Sequence, residues 1–274
     1  MMDFLYEDIF VRNILLWGAE AQERLRLSHV LLAGLGGVGS YIAEALVRSG
    51  VGALTLIDHD RVELSNVNRQ LPALLPELGR LKVEAVAERV LAVNPQCRLR
   101  LLQEFITPDN ADMLGGADYF IDAIDHVPGK VAIIRHALSL GKPVASAMGA
   151  GRRVAPERLR LADISQTAGC PLARELRRRL RALGIISGVT VVYSEEPPRQ
   201  NMLPAVTEQA GEKTPIVPNG QTTKVENNNS LNTQHSTLNT GLRSSPLGSC
   251  AFVPAVAGLL LASAVIRDLA GLGR

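Results

Sequence analysis

The stretch that most constrains this chain is Val30–Gly39, VLLAGLGGVG, a short apolar run that breaks into a turn with glycine at 34, 36, 37 and 39. Gly34, Gly36, Gly37 and Gly39 follow one apolar run and precede another, the context in which such a turn lets backbone approach a phosphate closely. The helix behind it supplies unpaired amides and a positive end. Thr55-Leu-Ile-Asp58 then puts a carboxylate 19 residues after Gly39, at the end of the next strand, where it can hold ribose hydroxyls. A glycine turn alone serves many dinucleotide enzymes; the residues after Asp58 separate this chain from them.

Beyond Asp58 come Asp60, Asn66, Asn68, Arg69, Gln70 and Lys82. A nicotinamide-dependent oxidoreductase needs few cations here, because the glycine turn already holds the diphosphate of its cofactor. Arg69 and Lys82 instead suit a triphosphate, whose outer groups carry charge beyond the turn's reach. Asp125, closing Ile121-Asp122-Ala-Ile-Asp125, is placed like a magnesium-holding carboxylate beside the same crevice. Singly, each has a plain alternative: Lys82 a solvated helix residue, Asn66 a turn former, Asp122 a carboxylate that orders a loop.

The periodicity around these residues predicts an α/β fold, a Rossmann-like doubly wound and mostly parallel sheet with a smaller C-terminal appended region. Strands are expected at His29–Ala33, Ala53–Ile57, Arg98–Leu102, Tyr119–Ile124, Pro143–Ala147 and Gly188–Tyr193. Helices are expected at Ser40–Ser49, Lys82–Val93, Val131–Leu140 and Pro171–Leu183, the last an amphipathic segment with a leucine stripe among arginines. His126-Val-Pro128-Gly129 is an unusual opening for a helix. Residues 1–197 read as one nucleotide-binding domain. Residues 198–246 read as a disordered insertion, because Arg199–Ser245 lacks aromatics and is dense in Asn, Thr, Gln, Ser and Pro. Residues 247–274 return as an apolar helix packing on the domain or on a dimer interface. The apolar run Phe252–Ile266 is shorter than the ~20 residues a bilayer span needs and contains Pro254, so no stable membrane span is expected.

The series Gly-x-Gly-Gly-x-Gly, Asp58-x-Asp60, Asn66-x-Asn68-Arg69-Gln70, Gly79-x-x-Lys82 and Asp122-x-x-Asp125 resembles the ubiquitin-activating-enzyme-like adenylating superfamily. Within it, Arg12-Asn-Ile-Leu-Leu-Trp-Gly18, Ser146-Ala-Met-Gly-Ala-Gly151, Ala162-Asp-Ile-Ser-Gln-Thr167 and Pro171-Leu-Ala-Arg174 resemble the tRNA threonylcarbamoyladenosine dehydratases. The resemblance implies that the four glycines and Asp58 bind the phosphates and ribose of ATP. It implies that Asn66, Arg69 and Lys82 stabilise the triphosphate, that Asp125 holds Mg2+, and that Arg12 reaches across a homodimer into the partner's site. The implied reaction uses ATP to activate the threonyl carboxylate of threonylcarbamoyladenosine in tRNA, which then cyclises with net loss of water. On this reading Arg12, Arg69, Lys82 and Asp125 carry the catalysis, and Asp60 and Gln70 belong to the nucleotide site. Partner proteins of the sulfur-transfer, desulfurase type are compatible with it.

Composition narrows the alternatives. The 274 residues, 46% of them hydrophobic, can bury a substantial core, and a formal net charge of +2 favours no partner by itself. Its distribution says more: nine arginines between Arg152 and Arg181 stand against Glu157, Asp163 and Glu175, an excess able to face a polyanion or simply to be solvated. Cys97, Cys170 and Cys250 form no CxxC pair, so neither a disulfide framework nor zinc is expected, and a reducing, cytoplasmic location fits. Cys170 reads as a free thiol at a helix start. The relatives that activate sulfur-carrier proteins usually carry two CxxC pairs; a sulfur-carrier protein adenylyltransferase is therefore the second reading. An idle binding protein would not need this set of phosphate and metal residues.

Overall fold

A computed structural model describes residues 5–201 and 247–273. The expected insertion, 198–246, lies almost wholly outside the described residues. The chain divides into two units, one of residues 1–200 with 248–274 and one of residues 201–247; the first carries everything below.

Its centre is a seven-stranded sheet of order β3-β2-β1-β4-β5-β7-β6, with β1 His29–Ala33, β2 Ala53–Ile57, β3 Arg98–Leu102, β4 Tyr119–Asp122, β5 Val144–Ala147, β6 Leu159–Asp163 and β7 Thr190–Ser194. All neighbours run parallel except the β6–β7 pair. β1, β4 and β5 are buried on both faces, which is why they read as unbroken apolar runs rather than alternations. Their side chains still alternate between two helical layers. Val30, Leu32, Tyr119 and Ile121 join the core beneath α4 Gly39–Arg48, α5 Lys82–Val93 and α8 Phe252–Ala270; Leu31, Ala33 and Phe120 join the core beneath α6 Val127–Ser139 and α7 Pro171–Ala182.

Three short helices precede β1: α1 Tyr6–Ile9, α2 Val11–Trp17 and α3 Ala19–Leu27. A buried hydrogen-bond chain fastens them to the end of α4. Trp17 Nε1 donates to Gln22 Oε1 (2.9 Å), Gln22 Nε2 donates to the Tyr6 hydroxyl (2.6 Å), and that hydroxyl donates to Gly50 O (2.6 Å). Burial pushes the Tyr6 phenol up to about 12, so it remains a donor throughout the neutral range.

Two expectations change. The antiparallel edge strand β6 was not foreseen, and α6 starts at Val127, four residues before the expected Val131. Pro128 occupies the first turn, where its missing N–H costs nothing, and the His126 ring accepts a hydrogen bond from Gly129 N (3.3 Å) as the cap. α8 is long and apolar enough to cross a membrane, yet half of its 18-residue apolar window is buried inside the molecule. It packs on α4, where a Cβ on Gly258 would stand 2.5 Å from Val38 O. Tyr119 Oη donates to Asp268 Oδ2 (3.1 Å) and Arg24 donates twice to Ala270 O (3.0 and 2.6 Å).

Candidate active site

β1 and β4 are adjacent, but the chain leaves β1 toward β2 on one side and leaves β4 toward β5 on the other. Their carboxyl ends therefore open a crevice, the place where doubly wound sheets bind ligands. Gly34 lines it with φ 88, and a Cβ there would lie 2.7 Å from the Ala123 carbonyl group. Gly39 is needed for a different contact, since its Cβ would stand 1.7 Å from Gly34 O. Gly36 and Gly37 face outward. A Cβ on Gly36 would meet only Gln70 Nε2 at 3.7 Å, and one on Gly37 would meet Pro254 Cβ at 3.3 Å and Arg69 Cγ at 3.4 Å. The first and last glycines thus shape the turn, and the middle two leave its amides open.

Asp58, buried at the end of β2, braces the turn from below. Its Oδ2 accepts from Leu35 N (2.7 Å) and its Oδ1 from Asp60 N (2.9 Å), leaving each oxygen a lone pair for a hydroxyl. Asp60 Oδ2 accepts from Lys82 Nζ (2.7 Å); Lys82 is buried and Asp60 is half exposed. Asn66 is buried and turned to its own loop, with Oδ1 accepting from Glu63 N (3.2 Å) and Nδ2 donating to Ser65 Oγ (3.3 Å). Arg69 Nη1 donates to Ser65 O (2.7 Å) and Asn68 Oδ1 (2.9 Å), which holds its stem over the glycine turn. Ser40 Oγ accepts from Leu71 N (3.2 Å) and Asn68 Nδ2 donates to Ser249 O (3.0 Å), tying this loop to α4 and to the approach to α8. Gln70 is buried beside Gly36, and its Oε1 has no hydrogen-bond partner among the described residues.

The structure thus brings Gly34, Gly36, Gly37, Gly39, Asp58, Asp60, Asn66, Arg69, Gln70 and Lys82 around one turn. Asp125 is exposed on the loop leaving β4, on the far wall of the crevice. Arg12 does not join them within one chain. Asn13 Nδ2 donates to Arg48 O (3.0 Å), which sets α2 at the C-terminal end of α4, ~15 Å of helix away from Gly39. Hard carboxylate oxygens are the donors a magnesium ion takes. Asp125 offers one, and Asp58, His59 and Asp60 present three ligand atoms within 4.8 Å of one another.

Sequence reasoning named Asp122 as a loop-ordering carboxylate, as its bond from Ile124 N bears out, but missed its buried partners beneath the crevice. Asp122, Lys130 and Ser146 are wholly buried. Lys130 Nζ donates to Asp122 Oδ2 (3.1 Å), to Oδ1 (3.2 Å) and to Ala147 O (2.7 Å); Ser146 Oγ donates to Asp122 Oδ2 (2.6 Å); Ile124 N donates to Asp122 Oδ1 (3.2 Å). One buried pair therefore fixes the carboxyl ends of both β4 and β5, and with them the loop that carries Asp125. The available signal was a lysine next to the apolar run Val131–Ile134 and a serine inside β5.

With this geometry in hand, comparison with known proteins decides the family. The family model described as "ThiF family" matches residues 10–274. The chain belongs to the ThiF family. It is 38% identical over 262 residues to the tRNA threonylcarbamoyladenosine dehydratase of Bacillus subtilis, covering 95% of this chain and 94% of the relative. It is 40% identical over 190 residues to that of Escherichia coli, covering 66% and 71%. The crystal structure of the E. coli tRNA N6-threonylcarbamoyladenosine dehydratase in complex with AMP superposes with a TM-score of 0.79 at 30% identity, covering 99% of this chain and 98% of that one. The sulfur carrier protein adenylyltransferase of Thermus thermophilus is 35% identical over 128 residues, 46% of this chain and 47% of its own length.

Removing one partner of a buried pair leaves an uncompensated charge, which costs about 3–5 kcal/mol. Lys130→Met should lower unfolding stability by about that much in urea titration, while an exposed-charge control such as Lys142→Met should change it by less than about 1 kcal/mol.

Proposed function

We propose that this chain is an ATP-dependent tRNA threonylcarbamoyladenosine dehydratase, which cyclises threonylcarbamoyladenosine in tRNA by adenylating its threonyl carboxylate. The observation that carries the reading is the pairing of an open glycine turn, braced by Asp58, with Arg69 and Lys82 on one wall. That wall holds more positive charge than a diphosphate cofactor requires. The near full-length likeness to dehydratases supports the substrate class, and the likeness to a sulfur-carrier adenylyltransferase stops at less than half the chain.

On this reading the amides of Gly36 and Gly37 and the start of α4 receive phosphate oxygens, and the free lone pairs of Asp58 accept from the ribose hydroxyls. Arg69 and Lys82, with Asn66 and Gln70, neutralise the outer phosphates. Lys82 can exchange Asp60 for a phosphate oxygen without leaving its buried stem. Mg2+, when bound at Asp125, supplies further charge neutralisation to the leaving pyrophosphate. The substrate carboxylate attacks the α-phosphorus and pyrophosphate leaves. A nucleophile on the same substituent then attacks the acyl carbon, and AMP departs carrying the former carboxylate oxygen. Both groups sit on one substituent, so ring closure needs positioning more than acid–base help. Arg12 completes the site of the other protomer in a homodimer, where its charge joins Arg69 and Lys82. Such an enzyme works in the cytoplasm, where its tRNA is found.

Two measurements test these roles. Mass spectrometry of tRNA nucleosides from cells lacking the protein should show the open form of threonylcarbamoyladenosine in place of the cyclic one; persistence of the cyclic form removes the proposal. Mixing inactive Arg12→Ala with inactive Lys82→Ala should restore about one quarter of wild-type activity, because half of randomly paired dimers then hold one intact site of two. A mixture as inactive as its components places Arg12 outside the partner's site.

A further inference from the structure

α7 carries five arginines and one glutamate in its 12 residues, whereas a face that serves only solubility mixes the two signs. Its arginines are not equivalent. Arg177 donates to Thr167 O (2.6 Å) and to the Thr167 hydroxyl, and Arg179 is held by Glu175 (2.7 Å). The guanidinium groups of Arg174 and Arg181 make no hydrogen bond or ion pair among the described residues. Arg178 shares Glu175 but its side chain is 69% exposed. Arg174, Arg178 and Arg181 stand at i, i+4 and i+7, one stripe on the side away from buried Ala173, Leu176 and Leu180.

The stripe starts beside the loop that leaves β5, the strand next to β4. Leu172, in the first turn of α7, has its Cβ 4.0 Å from where a Cβ on Gly149 would lie, and Gly149 is in the loop leaving β5. The same loop holds Arg152 at φ 57, the one non-glycine residue with positive φ among the described residues, and its guanidinium also has no partner there. A left-handed arginine is strained, and strain of that kind gathers at binding sites.

We infer that Arg152, Arg174, Arg178 and Arg181 form a track for the sugar–phosphate backbone of the substrate tRNA, leading from the rim of the crevice down the outer face of α7. The inference rests on the dehydratase reading and adds where the RNA lies. Arginine suits this task because its fork meets phosphate oxygens two at a time. Glu175 then acts as an internal competitor, occupying Arg178 and Arg179 until a phosphate displaces it; these two arginines hold its carboxyl down at about 2, so it stays charged.

The test is binding of the full-length protein to tRNA bearing threonylcarbamoyladenosine, followed against KCl concentration. The triple variant Arg174→Gln, Arg178→Gln, Arg181→Gln should bind tRNA about tenfold or more weakly, with a log–log salt slope shallower by about 2 to 3, and should keep wild-type ATP affinity. Glu175→Gln should bind tRNA about twofold to threefold more tightly. A triple variant with wild-type tRNA affinity and salt slope overturns the track while the wild type still cyclises its substrate. A wild type that neither binds nor cyclises this tRNA overturns the dehydratase reading itself.

Discussion

The site depends on one close approach, that of Gly34 to the Ala123–Ile124 peptide. β1 and β4 lie side by side while their onward chains part, and the glycine turn passes so close to backbone at that fork that a Cβ on Gly34 would lie 2.7 Å from the Ala123 carbonyl group. Only a residue without a Cβ and with φ 88 fits. Once Gly34 is seated, Gly39 can close on Gly34 O, α4 begins directly behind the turn, and Gly36 and Gly37 are left with room around them. Asp58 then locks the arrangement by accepting from Leu35 N. A nucleotide would add a ligand to this frame without having to build it.

Electrostatics divides the site into a buried half and an open half. Asp122 and Lys130 neutralise each other out of water and hold the ends of β4 and β5 in register. Such a pair is poor evidence for net stability, since desolvation offsets much of the attraction, but its geometry fixes where the Asp125 loop leaves the sheet. Asp60 and Lys82 form the open counterpart, with a buried ammonium and a half-exposed carboxylate that a phosphate can replace. A charge that is already desolvated and positioned needs little reorganisation when phosphates arrive.

Much of this is legible in the amino-acid sequence alone. The strands β1, β2 and β3 and helix α5 fall at their expected residues, because long apolar periods and a terminating Asn94-Pro95 leave few alternatives. Edge strand β6 escaped, since Leu-Arg-Leu-Ala-Asp is partly exposed and short, and its pairing with β7 is a matter of tertiary contact. The start of α6 escaped because Pro128 and Gly129 look like breakers until His126 is seen capping them. Lys130 and Ser146 escaped for a deeper reason: a polar residue in an apolar run announces a partner but not which one. The arginines of α7 were legible as the polar face of an amphipathic helix, and the fold sorts them into those held by Thr167 and Glu175 and those turned outward.

The central claim is that the carboxylate itself attacks ATP at the α-phosphorus. It is tested most directly by following oxygen. With tRNA whose threonylcarbamoyl carboxylate carries heavy oxygen, one labelled oxygen should appear in the phosphate of AMP as the cyclic nucleoside forms. Labelled inorganic phosphate released with ADP, or unlabelled AMP beside cyclised product, would contradict the account.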